Sequence, residues 1–206
     1  PKNFIDPLLM TLHSSPQIAA VQPKIMFHEY PDRIWNAGGI YYPYNAATKT
    51  IGYNKLDAKK YNESRYVDWI TGCCILLKSE IITEVGLLNE HFFAYYEDVD
   101  WSLRIRKLGY RLAYNPTLPI LHKVGASSKN KNKTDEGFLS PFVHFLNIRN
   151  HIFMARLHIK GIHVINAHIY LLLKIIIYGV YFMLKGRRKK LNMSFKGYLE
   201  GYSTQL

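Results

Sequence analysis

The chain has few cysteines, few acidic residues in its last third and no apparent internal repeat. Its only two cysteines among 206 residues, Cys73 and Cys74, are adjacent within an apolar run. A disulfide between such neighbours would be strained, and no third cysteine offers a partner. The sequence therefore gives no basis for a disulfide framework and favours a reduced, cytosolic environment.

The shortage of acid is confined to one part of the chain. Residues 1–122 hold 13 Lys and Arg against 12 Asp and Glu, whereas residues 123–206 hold 14 basic residues and three acids. Such a basic segment indicates an anionic partner, either a nucleic acid or a membrane surface. Its basic residues flank a long apolar stretch and line neither an aromatic-interleaved sheet nor a recognition helix, which disfavours nucleic acid.

Apolar periodicity predicts an α/β domain over residues 1–125, because helical spacing alternates with short apolar runs typical of buried strands. Ser79 is predicted to be the N-cap of the second helix, which Gly86 ends, and Gly109 ends the third. Helices are predicted over 6–14, 79–85 and 98–108, strands over 18–21, 73–77, 110–114 and 120–122, and short strands and loops over 34–66.

The rest of the chain differs in composition from residues 1–125. Residues 126–138 predict a mobile polar loop, and residues 139–206 predict a basic, helical, membrane-associated region. Within that region, residues 164–184 form a 21-residue stretch whose only formal charge is Lys174, and as a helix of roughly 32 Å it matches a bilayer core. A lysine at the centre of a spanning helix costs about 2.5–3.5 kcal/mol, which weakens that interpretation.

A polar stripe runs along this stretch, where Asn166, Tyr170, Lys174 and Tyr178 recur every four residues. Tyr181 and Lys185 extend it. The stripe predicts an amphipathic helix in the membrane interface, with basic residues 185–190 against anionic head groups. A spanning helix and a buried helix of a soluble domain remain alternatives. In the preceding helix, the seven-residue spacing of His144, His151 and His158 predicts a solvated face rather than a metal site.

Three carboxylates, Glu97, Asp98 and Asp100, follow an aromatic run at a predicted helix start. One interpretation is structural, because acids in a first helical turn complement the helix dipole and cap free N–H groups. The other is catalytic, because a carboxylate in a partly apolar pocket can accept a proton from a sugar hydroxyl.

These acids belong to a longer ordered set of motifs. Its pieces are the runs 67–77, 84–90 and 93–100, followed by Arg104, Gly109, Pro116 and His122. The set resembles the acceptor-side half of bacterial family-two, rhamnosyltransferase-like glycosyltransferases, over most of residues 1 to about 155. Arg149 and Asn150 also match an Arg-Asn pair of that family, with their role left open.

The resemblance implies a partial GT-A fold and an inverting enzyme that transfers a hexose, such as rhamnose, from a nucleotide-sugar. The general base falls on Asp98, and Glu97 orients the acceptor or supports Asp98. The family also implies a divalent cation, Mg²⁺ or Mn²⁺, to stabilise the leaving nucleoside diphosphate. His122 is at the position of a histidine that joins such a metal site, although a structural histidine at a strand end is the alternative.

Further residues are candidates for binding substrate. Gly72 fits a close approach of backbone to substrate or a plain strand entry. Trp69 and Trp101 stack on sugar faces or fill the core, and core is the safer interpretation. Arg104 reaches phosphate or pairs with a carboxylate one turn back, and Asp100 supports the site or the helix.

The segment from Pro1 to Leu9 resembles the residues that follow the Asp-x-Asp metal motif of the family. We therefore expect the main metal motif upstream of Pro1, and a fragment that lacks the donor-binding half and is inactive alone. The implied acceptor is a lipid-linked saccharide or cell-surface polysaccharide, and the implied location is the cytoplasmic face of a bacterial membrane, peripheral or partly embedded. A non-catalytic membrane-docking or assembly module is the competing hypothesis.

Overall fold

The computed structural model describes residues 3–123 and 129–206, with the side chains of 129–134 not included. The chain forms two compact units. The first comprises Pro1–Tyr41, Thr48–Asn89 and Asp98–Val124, and the second comprises Tyr42–Ala47, Glu90–Glu97 and Gly125–Leu206.

The first unit is built on a mixed five-stranded sheet. Its central strand β1 (Ile18–Phe27) pairs in parallel with β7 (Arg111–His122), which in turn pairs antiparallel with β5 (Arg65–Val67). On its other side β1 pairs antiparallel with two short strands, β2 (Ile34–Asn36) and β6 (Leu76–Leu77). Strands β3 (Gly39–Tyr42) and β4 (Ala47–Thr50) form a separate pair.

Both faces of β1 are covered, which explains its nearly continuous apolar sequence. Helix α1 (Ile5–His13) packs Leu8 and Leu12 against one face. The other face carries the larger core, in which Ile81 of α2 (Ser79–Val85) and Ile105 of α3 (Glu97–Lys107) are buried. Nine of the ten β1 residues are buried as a result.

The mixed α/β class predicted from the sequence is confirmed, with differences at element ends. The strand predicted over 73–77 is limited to Leu76–Leu77, because Thr71 and Cys74 are joined by a backbone hydrogen bond that turns the chain before it. Ser79 is the first residue of α2 and not its N-cap, a position that Lys78 occupies. Gly86 ends α2 as predicted, with a φ of 80° that favours glycine.

The second unit is mainly helical. It contains α4 (Pro141–His158), α5 (His163–Leu184) and α6 (Arg188–Ser203), and a hairpin of β8 (Lys129–Thr134) and β9 (Gly137–Leu139). Of the loop predicted over 126–138, residues 126–128 lie outside the described residues. The loop prediction is wrong for the two strands, which pair with each other.

Helices α4 and α6 approach closely at two glycines. A Cβ atom on Gly197 would lie 2.5 Å from the Phe145 carbonyl oxygen, and one on Gly201 would lie 2.7 Å from Ile152 Cδ1. Small residues four positions apart allow two helix backbones to come together in this way. Ser140 caps the start of α4 by accepting a hydrogen bond from the Val143 N–H.

The centre of the polar stripe of α5 faces protein. Lys174 Nζ donates to His151 Nδ1 on α4 at 2.9 Å, and the Tyr178 and His144 rings lie 6.3 Å apart. An interfacial helix would instead turn such a stripe to water. His151 of α4 is only 1% exposed, because it packs against α5. The solvated face predicted for this histidine is therefore wrong.

The outer side of α5 is apolar and exposed. Ile165, Ile169, Leu173, Ile176 and Ile177 each expose about half or more of their surface. Among the described residues, α5 is the one helix whose length and composition would let it cross a membrane, and 28% of its most apolar window is buried. An exposed apolar surface of this extent is typical of a contact with lipid or another protein.

Candidate active site

Asp98 is the second residue of α3, and both of its carboxylate oxygens accept hydrogen bonds from backbone amides. Gly72 N–H donates to Oδ2 at 2.9 Å, and Val99 N–H donates to Oδ1 at 2.9 Å. Gly72 and the following Cys73 are exposed, so the turn that holds the carboxylate is open to solvent. The Thr71 side chain also donates to this carboxylate, and three donors still leave it lone-pair capacity to accept a proton.

A buried polar network fixes the turn that carries Gly72. The Thr71 N–H donates to Gln22 Oε1 at 2.9 Å, and the Ile70 N–H donates to Ser102 Oγ at 3.2 Å. Ser102 in turn donates to the Asp98 carbonyl at 2.6 Å. The turn is therefore held by β1 and by α3 at three successive amides, and it presents Gly72 to Asp98.

Burial raises the pKa of Asp98 above its ordinary range, although hydrogen bonds from Gly72, Val99 and Thr71 act in the opposite direction. Loss of water disfavours the ionised carboxylate, and an oriented amide favours it. A carboxylate with a raised pKa is a stronger base than an exposed aspartate. Its position beside an open turn allows it to take a proton from a bound hydroxyl.

Glu97 and Asp100 differ from Asp98 in their surroundings. Glu97 is the first residue of α3 and is partly buried. Asp100 is 2% exposed and pairs with Arg104 Nε at 2.9 Å. Arg104 also donates to the Val85 and Leu87 carbonyls, at 2.7 and 2.8 Å. Asp100 and Arg104 thus join α3 to the end of α2, which is the structural alternative for both, and their substrate roles remain predictions.

The two tryptophans are also part of the fold. Trp69 and Trp101 are 7% and 8% exposed. The Trp101 indole N–H donates to the Gly86 carbonyl at 2.8 Å, and the Trp69 indole N–H donates to the Ile40 carbonyl at 3.2 Å. This burial leaves little ring surface for a sugar and favours the core interpretation.

His122 ends β7, and its ring lies 4.4 Å from that of Trp35. Its Nδ1 is 3.3 Å from Cys73 Sγ, and burial lowers its pKa. A neutral imidazole can bind a metal ion. Within residues 3–123 and 129–206, however, no three His, Cys, Asp or Glu side chains come together as a ligand set. The residues present therefore do not form a divalent-metal site by themselves.

The segment that leads into α3 has an unusual backbone. Phe93, Tyr95 and Tyr96 all adopt positive φ angles, of 60°, 66° and 71°. Non-glycine residues pay for this conformation, so other contacts must hold it. Asn150 Nδ2 lies within hydrogen-bond distance of the Phe92, Ala94 and Tyr95 carbonyls, at 2.9, 2.7 and 2.8 Å.

Arg149 holds the same segment by donating to the His91 and Phe92 carbonyls, each at 3.0 Å. It also pairs with Glu200 at 3.1 Å. The role that the sequence left open for Arg149 and Asn150 is therefore to fix the aromatic segment before α3. Sequence reasoning missed Gln22 and Ser102, although a glutamine inside an apolar strand is a signal of a buried polar contact.

Known proteins with similar sequences are sugar transferases. An 84-residue segment is 32% identical to the N-acetylglucosaminyl-diphospho-decaprenol L-rhamnosyltransferase of Mycobacterium tuberculosis and covers 41% of this chain and 26% of that enzyme. A 149-residue segment is 24% identical to the low-salt glycan biosynthesis hexosyltransferase Agl10 of Haloferax volcanii, covering 69% of this chain and 43% of that protein. The rhamnosyltransferase WbbL of Escherichia coli is 34% identical over 76 residues, or 35% of this chain and 28% of WbbL.

The class of protein that these similarities indicate is the glycosyltransferases, and one of the relatives, Agl10, is named for glycan biosynthesis. The matched segments span between about a quarter and two fifths of the length of the curated relatives. No protein-family model matches the chain.

Proposed function

We propose that this chain is part of an inverting glycosyltransferase that moves a hexose from a nucleotide-sugar to a lipid-linked saccharide or cell-surface polysaccharide. The observation that carries the proposal is the Asp98 carboxylate, fixed by the Gly72 amide beside an open turn. The similarity to rhamnosyl- and hexosyltransferases supports the reaction class.

In the proposed reaction, a hydroxyl oxygen of the acceptor attacks the anomeric carbon of the donor sugar. Its proton passes to Asp98 as the new bond forms. The bond from the anomeric carbon to the nucleoside diphosphate breaks, and the diphosphate leaves with the electron pair. Glu97 is proposed to orient the acceptor. Use of Mg²⁺ or Mn²⁺ with His122 remains a prediction, because the described residues alone do not supply a ligand set.

The test is Asp98→Asn in the full-length protein, with sugar transfer to acceptor measured directly. We expect a loss of at least about 100-fold in kcat, the lower end of what a general base contributes. The melting temperature should change little, because asparagine removes a desolvated charge, which offsets the loss of one of the two amide hydrogen bonds that Gly72 and Val99 donate.

Glu80→Gln is the matched control, since Glu80 is an acid in the first turn of α2. If acids at helix starts matter only for helix stability, the two variants should behave alike. Turnover that survives in Asp98→Asn would remove the general-base assignment and favour the non-catalytic docking module.

We also propose that the second unit binds an anionic membrane surface. Two features support this: the exposed apolar side of α5, and the basic residues Lys185, Arg187, Arg188 and Lys189 at its end. The contact of Lys174 with His151 keeps that charge away from the apolar side, so the cost expected for a lysine in lipid does not apply in this arrangement. Absence of binding to anionic vesicles at low salt would refute it.

A further inference from the structure

A cavity of about 420 Å³ lies in the second unit, between the β9 hairpin strand, α4, α5 and the start of α6. Its wall includes the aromatic side chains Tyr178, Tyr181 and Phe182 of α5. Its polar groups include His144 from α4 and the cations Arg187 and Lys190, of which Arg187 donates to the Tyr181 hydroxyl at 3.3 Å. None of these groups takes part in the chemistry proposed at Asp98.

Lys190 is a buried cation that faces this cavity. It is 3% exposed, and the structure gives its ammonium no ion pair among the described residues. A Cβ atom built on the cavity residue Gly137 would lie 3.6 Å from Lys190 Nζ and 3.4 Å from an Arg187 nitrogen, so both cations point to the same wall. Two cations at a helix N-terminus oppose the helix dipole, the Glu136 carboxylate offsets part of this, and a further anion between the cations would offset the rest.

His144 adds a second polar group without a partner. Its Nε2 atom is buried and has no hydrogen-bond partner among the described residues. Burial, followed by the charges of Lys190 and Arg187, lowers the pKa of His144 to about 4, so the ring is neutral at pH 7. A buried polar atom of this kind is typically completed by a ligand or an ordered water.

Glu136 shows that this helix start binds oxyanions. Its carboxylate accepts from the backbone amides of Lys189 and Lys190, at 3.0 and 3.2 Å. These amides are therefore occupied, and the groups left for an added anion are the Arg187 guanidinium, the Lys190 ammonium and the His144 ring. Several converging donors around one point suit the oxygens of a phosphate better than a single carboxylate.

The aromatic wall indicates what the phosphate is attached to. A free phosphate needs no apolar surface, whereas this cavity borders Tyr181, and the exposed apolar side of α5 continues at Val180 and Leu184. We propose that the cavity is a binding site for the terminal phosphate of a lipid, with the lipid chain along the outer side of α5. The proposal rests on the proposed membrane association and gives it a specific head group.

The experiment measures binding of the full chain to phosphatidylcholine vesicles that contain either phosphatidic acid or phosphatidylglycerol, matched in zeta potential. A general electrostatic contact gives equal affinities, and a phosphomonoester site gives at least a fivefold preference for phosphatidic acid. Lys190→Met should abolish this preference. Lys189→Met removes the same charge from an exposed position and should weaken both affinities alike, leaving the preference intact.

Arg187→Gln provides a second variant at the cavity wall in case Lys190→Met fails to fold, which a melting curve would show. In the wild type, the His144 ring signals should shift with phosphatidic acid and not with phosphatidylglycerol. Equal binding of the two lipids, with no effect of Lys190→Met on their ratio, would overturn the site while leaving membrane association intact.

A third measurement separates a lipid phosphate from a free one. Glycerol 3-phosphate should compete with phosphatidic acid vesicles only at concentrations well above those of the lipid. Binding of glycerol 3-phosphate as tight as that of the lipid would contradict the role of the apolar wall. Absence of binding to any anionic vesicle would remove the membrane association and this site together.

Discussion

Strand β1 and helix α5 are both rich in apolar residues, and each contains a lysine that donates to polar side chains. In β1, Lys24 donates to Asp57 Oδ2 at 2.6 Å and also to Asn62. In α5, Lys174 donates to the neutral ring of His151, and no carboxylate of the described residues forms an ion pair with it. β1 is covered on both faces, whereas α5 is covered on one. Two segments of similar apolar composition thus differ in their surroundings: β1 lies in the interior, whereas α5 has an exposed outer side.

The sharpest way to break this comparison is to place a lysine in each segment. Val21 in β1 is 0% exposed, so Val21→Lys should prevent folding, because an unpaired buried ammonium costs several kcal/mol. Ile176 in α5 is 51% exposed, so Ile176→Lys should change the free energy of unfolding by about 0.5 kcal/mol or less. Urea unfolding of both variants measures these changes in stability. Vesicle binding is a second readout for Ile176→Lys, and this substitution should weaken the binding. Comparable destabilisation by the two substitutions would show that the outer side of α5 is covered.

Lys24 of β1 should matter more for stability than Lys174 of α5. Lys24→Met leaves Asp57 and Asn62 without their donor, and because Asp57 can be hydrated we expect a loss of about 2 kcal/mol in the free energy of unfolding. Lys49→Met, at an exposed lysine of the same unit, is the control and should be nearly neutral. An equally small effect of Lys24→Met would mean that its ion pair does not stabilise the fold.

Lys174→Met should change the free energy of unfolding least at pH 7, because the substitution leaves no carboxylate of the described residues without its ion-pair partner. Its signature is in the pH dependence. Burial lowers the pKa of Lys174 to about 8, below the 10.5 of an exposed lysine. Between pH 8 and 10 the unfolded chain therefore holds more protons than the folded one, and this group makes the free energy of unfolding rise with pH.

The test is to measure the free energy of unfolding of the wild type and of Lys174→Met from pH 8 to 10 and to follow the difference between them. The groups that face Lys174 are His151, Tyr170 and Tyr178. His151 has its pKa lowered to about 3 and does not titrate there, and both proteins share the two tyrosines. A difference that stays constant from pH 8 to 10 would contradict a lowered Lys174 pKa.

Local signals in the sequence predicted much of the first unit. The apolar run at Ile18, the acids at the start of α3 and the stop at Gly86 all depend on neighbours in the chain. The network that presents Gly72 to Asp98 could not be predicted, because Gln22 and Thr71 are 49 positions apart. The side to which the polar stripe of α5 points could not be predicted either, because its four-residue period is the same whether the stripe faces water or α4.

The acid limb of the pH–rate profile tests the central claim about Asp98 most directly. A general base must be ionised, and because burial raises its pKa, sugar transfer should fall with decreasing pH at a midpoint above that of an ordinary aspartate. Carbon-13 NMR titration of the Asp98 carboxylate in the same full-length protein should give the same midpoint. A kinetic midpoint that differs from the Asp98 titration, or an acid limb that persists in Asp98→Asn, would contradict its role as the base.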